Sequence, residues 1–344
     1  MFAFLLAVGI LIPSALGQFP CPNAIDILPC HCTADGEDID MDCSNINVVD
    51  QIEHAFMADM PFTAFRKLTI ARDLDQNAVP IESLGDRVFG DATFREVVIS
   101  NSYLSDIGNN VFEKSFSTLE SLTLSHGLLN RYNFATLNLF NQLTHLDMSH
   151  NRLSFVSDII SNSLQLIDLS WNGGFFYSPE LLVGAPGLTH IYLQNIDMHD
   201  LTPLMFAAQG HLDTLDLAGN FVHMMPSDGL WFPNDTVTNV VLDNNFVLDL
   251  SIEFIFGTSN KLSLSMRNNS LSDFTAEIWQ PVLEKVSGNT KSRIVLGETN
   301  IQCGCNIAWL VTSTKYMRVF DSTNQCADGS LFSDLDPDSF AHCP

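Results

Sequence analysis

The chain has 344 residues, 46% apolar and only 16% charged, so it is neither disordered nor of low complexity and can bury a large core. Forty acidic residues against 15 basic ones give a formal net charge of −25, which repels phosphate backbones and anionic lipid. Nucleic-acid binding and docking through a basic patch are excluded, and cationic or neutral partners are favoured.

The first element is a leader. Phe2 to Ile12 is an apolar run too short to cross a bilayer, which takes about 20 residues. Ala15-Leu16-Gly17 then sets small residues before Gln18, which predicts a secretory signal peptide over 1–17. No later stretch is apolar for long enough to span a membrane, so the product is expected to be secreted and extracellular.

The cysteines fall in two groups of four: Cys21, Cys30, Cys32 and Cys43, then Cys303, Cys305, Cys326 and Cys343. An even count at the two ends of an exported chain predicts two disulfide-stapled caps, with three connectivities open in each. Cys-x-Cys occurs in both groups and would also suit zinc, but the wide remaining spacings and the leader favour disulfides.

Between the caps the chain repeats. Leu143-Thr-His-Leu146-Asp-Met148-Ser-His-Asn151-Arg-Leu153 fits L-x-x-L-x-L-x-x-N-x-L, the leucine-rich repeat pattern. Copies starting at Leu212 and Val237 fit as well, and degenerate ones begin at Phe65, Phe94, Leu119, Leu164 and Leu188. A further copy places Lys261 in its first apolar slot. The third apolar position falls at Ile70, Ile99, Leu124, Met148, Leu169, Leu193, Leu217, Leu242, Met266 and Leu296, in steps of 29, 25, 24, 21, 24, 24, 25, 24 and 30 residues. Each copy predicts one short strand with alternate side chains turned inward, and stacked copies predict an α/β-type solenoid with a parallel concave sheet. The expected divisions are the leader over 1–17, a first cap over 18–60, about nine repeats and a partial one over 61–300, and a last cap over 301–344. On the convex side Phe112, Leu137, Leu182, Phe206, Trp231 and Ile255 recur near one point of the coil and predict a packing spine.

The runs CPNAIDILPCHC at 21–32, CGCNIAWL at 303–310 and CADGSLFSDLDPDSFAHC at 326–343 resemble the caps of extracellular leucine-rich repeat proteins. With FTAFRKLTI at 62–70 they are similar to an arthropod group that includes the non-catalytic subunit of a shrimp luciferin 2-monooxygenase. The resemblance covers essentially the whole mature chain. It implies the pairings Cys21–Cys32, Cys30–Cys43, Cys303–Cys326 and Cys305–Cys343. It further implies that the ninth-position asparagine of each repeat sits inside the turn, here Asn151, Asn172, Asn220, Asn245 and Asn269. Asp73, Ser102, Gly127, Ile196 and Thr299 stand in that place elsewhere, so the ladder is expected to be incomplete.

The outward strand positions carry the candidate site. The first repeat presents Arg66, Lys67 and Arg72, and the last ones present Arg267 and Arg293. The middle presents His126, His145, Asp147, His150, Asp168, Trp171, His190, Tyr192 and Asp216. No Lys or Arg occurs between Arg152 and Lys261, a stretch with twelve Asp or Glu. Three readings of this patch stay open: a solvated surface, a metal site, and an interface for a protein or peptide with cationic and apolar groups. No motif fixes a ligand set, so no metal and no cofactor is expected. Asn234-Asp235-Thr236 and Asn268-Asn269-Ser270 are N-glycosylation acceptors.

No phosphate loop, nucleophile elbow or H-E-x-x-H helix occurs, and all eight cysteines are assigned to caps, so no catalytic residue is expected. The expected function is that of a secreted, non-catalytic binding or scaffold protein. In its sharpest form, implied by the resemblance, it is an accessory subunit that stabilises a small secreted catalytic partner. The alternative is a structural or adhesive protein of the extracellular matrix.

Overall fold

A computed structural model describes residues 20–272, 274–297 and 300–343. The leader expected over 1–17 lies outside them, as does Thr299. A twelve-stranded sheet runs the length of the chain. Its strands are β1 (His31–Asp35), β2 (Asp38–Asp42), β3 (Ala64–Ala71), β4 (Thr93–Ser100), β5 (Ser121–Ser125), β6 (His145–Asp147), β7 (Leu166–Asp168), β8 (His190–Tyr192), β9 (Thr214–Asp216), β10 (Val237–Val241), β11 (Thr258–Ser265) and β12 (Arg293–Val295). They pair in that order, β1 and β2 as an antiparallel hairpin and all later neighbours in parallel.

Register follows the repeat. Leu146 is level with Ile167, Ile191, Leu215, Val240, Leu264 and Ile294, all fully buried. Side chains alternate along a strand, so this inward column forces the neighbouring residues onto the open concave surface. The copy with Lys261 adjusts itself: Leu262 takes the inward place and Lys261 is exposed. An irregular register between β10 and β11 accompanies this shift.

The convex returns are mostly 3-10 turns, such as Phe134–Leu139, and two-residue strands, such as Leu230–Trp231 beside Ile255–Phe256. Of the two longer helices, α1 (Asp50–Phe56) belongs to the first cap and α2 (Ala276–Val286) closes the last full coil. Trp279, Val282, Leu283 and Val286 recur at helical spacing on α2 and are its buried face. This helix accounts for the long 30-residue step to Leu296.

Of the expected convex spine, Phe112, Leu137, Leu182, Phe206 and Ile255 are buried. Trp231 is not part of it. Phe232 turns inward instead, with its ring centroid 6.3 Å from that of Phe206, while Trp231 stacks outside on Phe256. In an extended return the inward phase changes with each residue, and an aromatic pair in sequence leaves that phase undetermined.

The asparagine ladder joins the coils. The Asn220 amide donates to the carbonyls of Leu193 and Leu217, both at 2.8 Å, and its oxygen accepts the Ile196 and Met198 N–H groups at 3.1 Å. Asn151, Asn172, Asn245 and Asn269 likewise donate to carbonyls of their own coil and of the one before. Each satisfies backbone groups that have no water to turn to. Gly127, at a ladder position without asparagine, makes room for its neighbour: a Cβ there would lie 2.9 Å from the Asn151 amide oxygen. The ladder runs further than the repeats do. Asn324, inside the last cap, donates to the Ile294 carbonyl at 3.0 Å and accepts from Leu296 N–H at 2.6 Å.

The caps seal the two ends of the core. The bonds are Cys21–Cys32, Cys30–Cys43, Cys303–Cys326 and Cys305–Cys343, so every cysteine is paired. At the front, β2 continues the concave sheet and lays Ile39 and Met41 over the first repeat. At the back, Phe274 is ringed by Trp279, Trp309, Phe320 and Phe332, with centroids 4.6 to 6.3 Å away. Aromatic area of this size covers an end that an isolated coil would leave in water.

Candidate binding face

The concave sheet brings the sequence-predicted residues into columns. His145 and His190 share one, separated by Leu166 on β7, and each imidazole Nδ1 is hydrogen-bonded to the hydroxyl of the threonine before it, at 2.7 and 2.9 Å. Asp147, Asp168, Tyr192 and Asp216 form the next column, level with one another on four consecutive strands. Parallel strands sit about 4.8 Å apart, so Asp168 and Asp216 stand on either side of Tyr192 and about 10 Å from one another.

These carboxylates are held by local bonds, and among the described residues no Lys or Arg pairs with them. Asp147, Asp168 and Asp216 each accept the backbone N–H two residues on, from Ser149, Ser170 and Ala218, at 2.8 to 2.9 Å. Asp216 also accepts from the Gln194 amide at 2.8 Å, and Gln194 in turn accepts the Ser170 hydroxyl. Burial pushes the Asp168 carboxyl above the usual carboxylate range; the Ser170 bonds oppose this, and the charges of Asp147 and Asp216 add to it. Burial likewise raises Asp216, against the bonds from Ala218 and Gln194, with Asp243 adding. The Tyr192 hydroxyl is raised by burial and then by the surrounding Asp168, Asp216 and Asp213.

The basic residues at the two ends are already used. Arg66 pairs with Asp40, Lys67 with Glu96, Arg267 with Asp243 and Arg293 with Asp321. Arg72 donates to the backbone carbonyls of Ser44, Ile46, Asn77 and Ala78. The expected display of cations at the rims is therefore an internal network, and the middle of the face is left acidic.

A third column lies where the strands turn. His126, His150 and Trp171 occupy the eighth repeat position, and all three backbones are left-handed, with φ of 51°, 54° and 59°. Asn101, Asn195, Asn244, Asn268 and Gly219 hold the same position with φ of 48° to 68°. Asparagine and glycine accept this conformation readily and histidine tolerates it, whereas tryptophan adopts it at a cost. The three rings stack: His126 on His150 with centroids 4.1 Å apart, and His150 on Trp171 at 5.3 Å with planes 7° from parallel. Trp171 remains 52% exposed. Burial, then the charge of His126, lowers the His150 pKa, against a raising effect of Asp147.

Of the two glycosylation acceptors, Asn234 donates to the Gly210 carbonyl at 2.9 Å and Asn268 to the Asn244 side chain at 2.9 Å; both are exposed. Among the described residues, one group of three metal-ligating types brings its atoms together, Cys305, His342 and Cys343, and both its sulfurs are tied in a disulfide. No helix of the described residues is long and apolar enough to cross a membrane. Sequence reasoning missed Ser170 and Gln194, whose hydrogen bonds link Asp216 to the neighbouring strand. Their signal was only a polar residue at the seventh repeat position.

No family model matches the chain. It is 24% identical over 324 residues to the Oplophorus-luciferin 2-monooxygenase non-catalytic subunit of Oplophorus gracilirostris, covering 93% of this chain and 87% of that one. It is 26% identical over 166 residues to Tsukushi of Gallus gallus, covering 48% of this chain and 45% of that protein. Among solved structures it resembles a chain of the octameric complex of Latrophilin 3, Unc5D and FLRT2, with a TM-score of 0.58 and 14% identity over 94% of this chain and all of that one. It also resembles a chain of the Toll–Spatzle complex of Drosophila, with a TM-score of 0.58 and 17% identity over 86% of this chain and 45% of that one. These structures fix the fold, and the first relative is non-catalytic by name, in agreement with a chain that carries no catalytic motif. The chain is a leucine-rich repeat horseshoe with disulfide-bonded caps, and along almost its whole length it resembles the non-catalytic subunit of a luciferin 2-monooxygenase.

Proposed function

We propose that this chain is a secreted, non-catalytic scaffold that holds a protein or peptide partner on its concave face, through Trp171, Tyr192 and the surrounding His145, Asp147, His150, Asp168, His190 and Asp216. The observation that carries the reading is the Asp168–Tyr192–Asp216 column. Two half-buried carboxylates are held beside an aromatic ring with their pKa values raised, and among the described residues no Lys or Arg pairs with them. Burying charge without a partner costs stability, so an arrangement that keeps two such groups on an open face fits a cation supplied by another molecule. The exposed Trp171, stacked on His150, offers the apolar anchor that protein interfaces concentrate their energy on.

Removal of a leader over 1–17 and four disulfides suit an oxidising, extracellular setting. Because the relative that spans most of this chain is the non-catalytic subunit of a monooxygenase, the sharpest form of the proposal is an accessory subunit for a small secreted catalytic chain. Affinity capture of the native protein from its source, followed by mass spectrometry, tests it. A scaffold subunit returns one defined partner in fixed ratio, and a matrix protein returns insoluble material or itself.

A further inference from the structure

A second ring stack lies away from the concave columns, in the turns after β8, β9 and β10. His199 stacks on Phe221 with centroids 5.2 Å apart and planes at 15°, Phe221 on Phe246 at 5.8 Å and 4°, and His223 on Phe246 at 5.5 Å and 16°. None of these rings is core. Val222 and Val247, each beside a phenylalanine, point inward and are fully buried, while Phe221 is 38% and Phe246 47% exposed. Met224 and Leu248 extend the apolar surface and are about half exposed as well. Stacking between coils contributes about 0.5–1.5 kcal/mol per ring pair, but it does not require that the outer edges be apolar. An open apolar patch on a chain this acidic is the mark of a contact surface.

The charge around the patch selects the occupant. Asp197, Asp200 and Asp249 are exposed in the same turns, and no Lys or Arg lies between Arg152 and Lys261 to offset them. A second copy laid on the patch would set these carboxylates against their own copies, within a pair of chains each carrying −25. Nucleic acid is repelled on the same ground.

We infer that the flank formed by His199, Phe221, His223 and Phe246 is a docking surface separate from the concave face, for a partner protein whose contact region presents apolar side chains surrounded by Lys or Arg. Apolar insertion between the ring edges supplies the affinity, and the surrounding aspartates supply charge complementarity and encounter rate.

The test uses the whole secreted protein and an amphipathic helical peptide of Leu and Lys as probe, with an oligolysine of equal charge as the electrostatic control. Phe221→Ser with Phe246→Ser should weaken the Leu/Lys peptide at least tenfold, leave oligolysine binding unchanged, and leave thermal unfolding cooperative. Leu248→Lys, a single exposed change that sets a positive charge among the aspartates, should weaken the same peptide and serves if the double variant fails to fold. Trp171→Ala with Tyr192→Ala should lose any peptide held on the concave face and keep the flank-bound peptide, which Phe221→Ser with Phe246→Ser made in that background should then release. The inference is overturned if the flank variants bind the peptide as tightly as wild type, or if only the concave variant loses it. It is equally overturned if sedimentation shows a wild-type dimer that Phe221→Ser with Phe246→Ser dissociates, because the occupant would then be a second copy.

Discussion

The imidazole of His150 lies flat against the indole of Trp171 on the next coil, with ring centroids 5.3 Å apart and planes 7° from parallel. Both residues are left-handed, and both backbones are fixed by the following coil: His150 N–H donates to the Ser170 carbonyl and Trp171 N–H to that of Gln194, each at 2.8 Å. The indole is therefore presented in one orientation before any partner arrives, which removes part of the ordering cost of binding. His150→Ala should weaken a concave-face complex less than Trp171→Ala does, and mainly by loosening the indole. Equal losses from the two variants would show that His150 itself makes the contact.

The acidic column predicts a gain of stability from the loss of a charge. The folded-state pKa of Asp168 is raised, so its contribution to stability is fully present below the unfolded pKa and is lost as pH rises through the folded value. At neutral pH the ionised group therefore opposes folding. Asp168→Asn keeps an oxygen for the Ser170 N–H and removes the charge, so it should raise the melting temperature at neutral pH. The gain should shrink as pH falls into the carboxylate range. Thermal unfolding at a series of pH values measures this, and a variant that melts lower than wild type at neutral pH contradicts it.

The asparagine ladder predicts the opposite behaviour at a buried amide. Asn220→Ala would leave the Leu193 carbonyl and the Ile196 and Met198 N–H groups without their partner. The expected cost is about 2–5 kcal/mol, since unmade buried hydrogen bonds cost about 1–3 kcal/mol each and cavities add to it. Asn244→Gly, at an exposed left-handed position, should stay within about 0.5 kcal/mol of wild type. Chemical denaturation of both variants compares the two.

The caps predict an end-to-end order of loss. Replacing Cys305 and Cys343 by serine should cost about 2–5 kcal/mol and open the last coils first. Hydrogen exchange should show protection falling around β12 before β6. Uniform loss along the solenoid would mean that the cap does not act locally.

Much of this architecture was legible because it repeats. The inward column from Leu146 to Ile294 and the five ladder asparagines are one pattern read many times, and the physics of one coil applies to the next. What escaped reading breaks that pattern or crosses it. Asn324 continues the ladder from a cap segment that has no repeat around it. Phe232 rather than Trp231 faces inward because the convex return carries no fixed phase. Arg66 and Lys67 occupy outward positions, yet Asp40 and Glu96, on neighbouring strands of the sheet, neutralise them. The flank stack joins tenth positions to one another and to the twelfth position of the coil before, pairings that no single copy displays. Concave-face residues were found by position alone, and the hydrogen bonds that tie Asp216 through Gln194 to Ser170 required the folded chain.

Whether the middle of the concave face binds a partner is decided by a single set of titrations. The partner captured from the source is titrated against wild type, Trp171→Ala, Tyr192→Ala and, as a convex control, a substitution at exposed Glu180. Truncating a buried aromatic anchor commonly costs about 2 kcal/mol or more, so each aromatic variant should weaken the complex roughly thirtyfold. Asp216→Asn should act chiefly on the salt dependence of association, and the Glu180 variant should bind as wild type does. If both aromatic variants hold the partner as tightly as wild type, the concave patch is a solvated surface and the partner docks elsewhere on the chain.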